Sequence, residues 1–242
     1  MLNDAKLCYL IKRKNEMTRL PKEFAKYLTP TAFIDSNHPR VVEYARAAVG
    51  NGASDTDKAI RLFYAVRDDI YYDPYSIDVR PGRLTASATL AAKRGFCIPK
   101  AILLAAVSRA VGIPSRLGFA DVKNHLTTEK LRAAMGTDLF VYHGYVEFYL
   151  NGRWVKATPA FNRSLCEKFH IKPLEFDGQN DSLFHEFDEK GNKHMEYIRD
   201  HGQYADVPLK DIIASFRKHY PRLRAQPALD VPGDFEADAR PL

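Results

Sequence analysis

The run Arg94-Gly95-Phe96-Cys97-Ile98-Pro99-Lys100, continuing through Ala101 to Val111 and closing on Gly112-Ile113-Pro114, constrains this chain more than any other stretch. Proline is tolerated in a helix only within the first turn, where its missing N–H would be unpaired anyway, and glycine followed by proline stops a helix. The pattern predicts a helix over about 97–111 with a thiol in its first turn. Ala101, Leu104, Ala105 and Ser108 follow helical spacing, but Ile102, Leu103, Ala106 and Val107 make nearly every face apolar, so the helix belongs inside the fold. A thiol at that end meets unpaired backbone N–H groups and the positive pole of the helix dipole, which favour the nucleophilic thiolate. The alternative is that Cys97 is one more small buried residue, as most free cysteines are.

Composition excludes several classes. With 242 residues and 45% hydrophobic content the chain can bury a substantial core. Neither the first residues nor any later stretch has an apolar run of signal-peptide or membrane-span length, which predicts a soluble, cytoplasmic protein. Cys8, Cys97 and Cys166 are odd in number and lack CxxC spacing, against a disulfide framework or structural zinc. The net charge of +6 is scattered, and no aromatic platform interleaves Lys12-Arg13-Lys14 or the basic run 217–224, so no nucleic-acid partner is expected. His185, His194 and His201 form no H-E-x-x-H arrangement, and Cys166 with His170 is a single pair. No metal and no cofactor is expected.

Taken in order, Glu23 to Leu28 reads as a short helix, His38-Pro39 opens a helix over about 40–49, and Ser54-Asp55-Thr56-Asp57 is a capping-box start for a helix over about 56–70. Tyr71 and Tyr72 stand in a short aromatic segment that could wall a cleft. Thr85 or Ser87 can cap a short helix leading into the cysteine loop. After the central helix the period becomes alternating: Ser115–Phe119 and Leu139–Leu150 read as strands, and Asn151-Gly152 makes a hairpin with 153–157. Residues 121–137, helical around Thr128 to Met135, interrupt the sheet as a candidate flap. Further on, 165–169 is a short helix, 188–192 a turn and 209–219 a helix, while Pro221, Pro227, Pro232 and Pro241 suggest a flexible tail from about 222. The fold class is α+β, a single domain over 1–242 with its core at about 54–162, a helical extension before it and a second extension after.

Cysteine chemistry on acyl groups needs a base to take the thiol proton and a third group to orient that base. His143, mid-strand and sharing a face with Val141, Tyr145 and Glu147, is the candidate base; its plainer reading is a core histidine. Glu147 reads as half of a structural ion pair. The order of these parts resembles the transglutaminase-like superfamily, whose core runs from cysteine at a helix start to histidine on a strand to an acid on the next strand. Gly95-Phe96-Cys97, Gly112-Ile113-Pro114, His143-Gly144-Tyr145-Val146-Glu147-Phe148-Tyr149 and Asn151-Gly152-Arg153-Trp154-Val155 are similar to its motifs over roughly 60–162. The resemblance implies a papain-like core, with the cysteine helix packed on an antiparallel sheet.

It further implies a thiol-dependent peptidase, amidase or acyltransferase acting on a peptide, protein or small acyl substrate, with Cys97 as nucleophile and His143 as base. Where the family has aspartate, this chain has Thr158-Pro159, so Thr158 takes the third catalytic place. Asn162 is the nearest substitute, and Asp177, Asp181 or Asp206 could fold back to fill it. The Cys97 N–H and an upstream N–H near Tyr71 or Tyr72 are the expected oxyanion donors, and Tyr71, Tyr72, Phe96 and Tyr145 the expected substrate contacts. No calcium-ligand loop is visible, which disfavours calcium-dependent crosslinking. The competing reading is a non-catalytic peptide-binding module that kept the fold and lost the acid.

Overall fold

Residues 97–109 are buried without exception, as an all-apolar helix requires, and the rest of the molecule is arranged to cover them. The computed structural model describes residues 22–124, 127–183 and 195–239. Its helices are α1 (Pro39–Val49), α2 (Asp55–Asp69), α3 (Ala86–Ala92), α4 (Cys97–Ala110), α5 (Glu129–Met135), α6 (Arg163–Phe169), α7 (Leu209–His219) and α8 (Phe235–Asp238). Its strands are β1 (Tyr71–Tyr72), β2 (Ser76–Asp78), β3 (Arg94–Gly95), β4 (Ser115–Asn124), β5 (Leu139–Leu150), β6 (Arg153–Ala157), β7 (Met195–Tyr204) and β8 (Ala228–Asp230). Helices α1, α2 and α3 pack on one side of α4, and strands β4 and β5 on the other. The fold is α+β as expected, with the cysteine helix against an antiparallel sheet. Among the described residues no helix is long and apolar enough to cross a membrane.

Local chemistry accounts for the approach to the cysteine. Ser54 caps α2 by accepting the Asp57 N–H at 3.0 Å, and the Asp57 carboxylate reaches back to the Ser54 N–H at 3.3 Å. Thr85 caps α3 through the Ala88 N–H at 3.2 Å. Lys93 ends that helix in the left-handed region at φ 52°. The chain then lays β3 parallel to β1, with Tyr71 opposite Arg94 and Tyr72 opposite Gly95, and enters α4 directly at Cys97. Polar groups on the buried helix are all engaged. Ser108 donates to the Leu104 carbonyl at 2.7 Å, and Arg109 to the carbonyls of Ser115, Thr29 and Ala205 at 2.9, 2.8 and 2.7 Å. Lys100 Nζ donates to the carbonyls of Arg67, at 2.9 Å, and Ile70. An amine head placed there satisfies carbonyls that the end of α2 leaves open.

The four-stranded sheet runs β6-β5-β4-β7, antiparallel throughout. Asn151 and Gly152 turn the β5–β6 hairpin with φ of 51° and 84°, the pair of positive values that a type I′ turn needs and that Asn-Gly supplies. Gly118 on β4 is required for a different reason: a Cβ there would lie 2.2 Å from the ring of Tyr145, which fills the space.

Three expectations need correction. Strand β4 does not stop at Phe119 but runs to Asn124, so residues 121–124 belong to the sheet, while the helix expected around Thr128 to Met135 is present at 129–135, capped by Thr128 on the Leu131 N–H at 3.1 Å. Asp121, Lys123 and Asn124 are poor strand formers, and cross-strand pairing overrides them. The sequence reading had no strand at β7, which holds the outer edge of the sheet beside β4. The expected flexible tail is instead paired and packed. Strand β8 runs antiparallel to β2, and Phe235 is buried with its ring 5.8 Å from Tyr72, 5.3 Å from Tyr75 and 5.9 Å from Phe169. The turn expected at 188–192 lies outside the described residues.

Candidate active site

Cys97 opens α4 with Phe96 as its N-cap, and no side chain competes for the first N–H groups. The N–H groups of Gly144, Ile98 and Cys97 itself reach the thiol and favour its ionised form, but burial outweighs them and pushes the thiol up to about 11. This reverses the thiolate expected from helix position alone, because the sequence cannot reveal how completely the helix end is covered. Gly144 brings β5 against the start of α4. A Cβ on Gly144 would stand 3.2 Å from Ile98 Cα and 3.4 Å from the Cys97 carbonyl and Ala101 Cβ, so only glycine lets strand and helix start approach this closely. The last β5–β6 partners are Val146 and Ala157, and β5 runs on past the end of β6. His143, buried at 2% exposure, precedes Gly144 on the same strand.

Two tyrosines flank the thiol. Burial pushes the hydroxyls of Tyr72 and Tyr220 well up, and in both cases the charge that Cys97 can carry adds to the effect. Tyr72 packs edge-on against Phe161 at 4.7 Å. Tyr220, which sequence reasoning missed, accepts the Val141 N–H at 2.7 Å. It follows α7 and precedes Pro221, with no motif around it, so only the fold could reveal it. Tyr71 is 53% exposed and lines, with Asp73, Arg94, Lys168 and Phe235, a cleft of about 420 Å³. Phe96 lines a second cleft of about 460 Å³ with Gly95, Pro99, Arg94 and Leu229. Tyr145 lines neither: it is 1% exposed, folded over Gly118 with Lys156 Nζ 5.5 Å from its ring. The expected backbone oxyanion donors upstream are already used, since Tyr71 donates to the Lys93 carbonyl at 3.0 Å and Tyr72 to Asn162 Oδ1 at 2.9 Å.

The candidates for the third group separate cleanly. Thr158 follows the end of β6, which puts it opposite Tyr145 and two positions along the face from His143. It is buried, its N–H donates to the Ser182 carbonyl at 2.8 Å, and its hydroxyl has no hydrogen bond to a described residue. Asn162 is committed elsewhere: besides holding the Tyr72 N–H it donates to Ser164 at 2.8 Å and Glu236 at 3.0 Å. Asp177 closes a surface turn on the N–H groups of Gln179 and Asn180, and Asp181 accepts the Lys156 N–H at 2.9 Å. Asp206 acts on the guanidinium of Arg109, twelve residues along α4 and about 18 Å from Cys97. Glu147 is the structural ion pair expected of it, accepting from Arg116 Nε at 2.7 Å while that guanidinium lies 4.0 Å from the Trp154 ring centroid. His201 instead pairs with Asp121, Nε2 to Oδ1 at 2.7 Å; His185 and His194 lie outside the described residues. No three metal-ligating side chains converge among the described residues.

Residues 42–159 match the model of the transglutaminase-like superfamily. A solved structure of a candidate cysteine protease from Cytophaga hutchinsonii is similar at a TM-score of 0.46 and 19% identity, over 60% of this chain and 44% of that one. The present chain thus spans less than half the length of that protein. No curated protein matches the chain.

Proposed function

We propose that this protein is a thiol-dependent acyl-transfer enzyme, and the observation that carries the proposal is the close approach of Gly144, the residue beside His143, to the first turn of α4, which bears Cys97. The match of residues 42–159 to the transglutaminase-like superfamily supports a thiol-dependent enzyme at the level of the family. His143 takes the thiol proton as Cys97 sulfur bonds to the substrate carbonyl carbon; the carbon–nitrogen bond then breaks, and His143 returns that proton to the leaving amine. Water or an amine, deprotonated by the same imidazole, attacks the thioester and releases Cys97. The Gly144 N–H and the hydroxyls of Tyr72 and Tyr220 are the donors best disposed toward charge on the carbonyl oxygen. Thr158 stands where the family has its acid. A hydroxyl there can orient a neutral imidazole but adds no negative charge to hold imidazolium, and the thiol, which burial keeps protonated, gives up its proton only as it attacks. The clefts lined by Tyr71 and by Phe96 have room for a peptide or protein side chain carrying the acyl group.

The raised thiol and the missing acid favour a second reading, a module that binds peptides in those clefts without turning them over. Release of ammonia or amine from a panel of glutamine-containing peptides and simple amides, with and without an added primary amine, separates the two. Turnover that disappears in Cys97→Ala supports the enzyme; peptide binding with no release in the native chain, or release that survives in Cys97→Ala, overturns it.

A further inference from the structure

The backbone just before His143 is held in an unusual way. Tyr142 has φ 55° in the middle of a strand, a left-handed conformation that a bulky L-residue keeps only when its surroundings impose it. The cause is a set of bulges focused on one residue of β4. Between the pairs Ala120–His143 and Val122–Phe140, the single residue Asp121 faces two residues of β5, Val141 and Tyr142. On its other edge β4 pairs Phe119 with Gly202 and Ala120 with Asp200, leaving His201 as the extra residue, and a second shift skips Ile198. Bulges of this kind re-aim side chains and gather beside active sites.

Freed from the ladder, the two N–H groups ahead of His143 are taken by side chains from distant elements. Tyr220 accepts that of Val141 at 2.7 Å, and Asp121 Oδ1 accepts that of Tyr142 at 3.0 Å. The same Oδ1 accepts from His201 Nε2 at 2.7 Å, with the two side chains only 12% and 9% exposed. The His201 ring also stacks on Tyr142, 3.9 Å between centroids and 17° from parallel.

We propose that Asp121 and His201 form a positioning pair: His201 fixes the Asp121 carboxylate, the carboxylate fixes the Tyr142 N–H, and the strained backbone so held sets the direction in which His143 is presented to Cys97. Neither residue touches the reacting atoms. His201 lies beyond the segment that matches the superfamily, so the late strand β7 contributes to a site whose core lies earlier in the chain. This inference rests on the acyl-transfer reading, in which His143 activates Cys97.

Because one oxygen accepts both hydrogen bonds, asparagine can replace Asp121 in geometry though not in charge, whereas alanine cannot. In the full chain, the rate of iodoacetamide alkylation at Cys97, located by peptide mass mapping at pH 7, should fall at least about tenfold in Asp121→Ala. It should stay within about threefold of native in Asp121→Asn, and the Tyr142 amide should exchange hydrogen faster in the alanine variant alone. A native rate in Asp121→Ala, or an equal loss in Asp121→Asn, overturns the proposal. If Asp121→Ala yields no folded chain, His201→Ala against His201→Gln, whose side-chain amide keeps a donor, makes the same decision by the same criteria. A His143→Ala variant separates the two levels. If it too alkylates at the native rate, the acyl-transfer reading falls and the pair with it, while a slow His143→Ala beside a native-rate Asp121→Ala removes the pair alone.

Discussion

Alanine in place of His143 is expected to slow alkylation of Cys97 at neutral pH by about a hundredfold. Burial holds the thiol near 11 despite three N–H groups directed at it. Without a base, the thiolate fraction at pH 7 is then on the order of one in ten thousand. In the native chain the imidazole accepts that proton, so the rate should level off at a lower pH. In His143→Ala it should go on rising about tenfold per pH unit toward 11. Cys166, buried and pushed up to about 12, is an internal control whose slow alkylation should not change between the two. Equal rates at Cys97 across the pH range would remove His143 from the chemistry.

Alanine in place of Lys100 is expected to cost about 3–5 kcal/mol of folding stability, through the cavity left by a long buried side chain and two carbonyls left unpaired. Lys100 is wholly buried one turn after Cys97 and ties α4 to the end of α2, just before the Tyr71–Tyr72 strand. Burial pulls its ammonium down to about 7; a neutral amine still has two N–H donors for its two carbonyls. Between about 7 and the free-lysine value of about 10.4 the folded chain therefore binds fewer protons here than the unfolded chain, and raising the pH stabilises the fold through this residue. The stability of the native chain relative to Lys100→Met should grow by about 1 kcal/mol per unit from pH 7 to 9. The buried thiols act in the opposite sense above about 8.5, but they are present in both proteins and cancel in the difference. Denaturant unfolding at several pH values measures it; a difference that is flat or falls with pH would show that Lys100 keeps its proton in the fold.

Much of this architecture was legible before any coordinates, for local reasons. Pro99 and Gly112 bracket the central helix, Ser54 and Asp57 cap the helix before it that is one residue longer, Asn151-Gly152 makes its hairpin, and the helix at 209–219 is where its periodicity puts it. What escaped depends on partners far off in the chain. Strand β7 carries Asp200 and Gly202 in its interior and is a strand because β4 offers an edge. Residues 228–230 pair with 76–78, about 150 positions earlier, so prolines that suggest a loose tail instead lead into an edge strand. The site divides the same way. Cys97 and His143 are proposed from motif spacing, while Tyr220 and Asp121 are isolated polar residues that only the bulges and packing bring to the backbone ahead of His143. Asn162, attractive by analogy, turned out to hold the Tyr72 N–H, a commitment no spacing rule predicts.

The central claim is that Cys97, activated through His143, accepts an acyl group. Brief treatment of the full chain with p-nitrophenyl acetate, followed by peptide mass mapping, tests it most directly. The account predicts one acetyl group, carried on Cys97, absent in Cys97→Ala and formed at least about a hundredfold more slowly in His143→Ala. Acetylation spread over Cys8, Cys166 and surface lysines with Cys97 unmodified, or unchanged at Cys97 without His143, would contradict it.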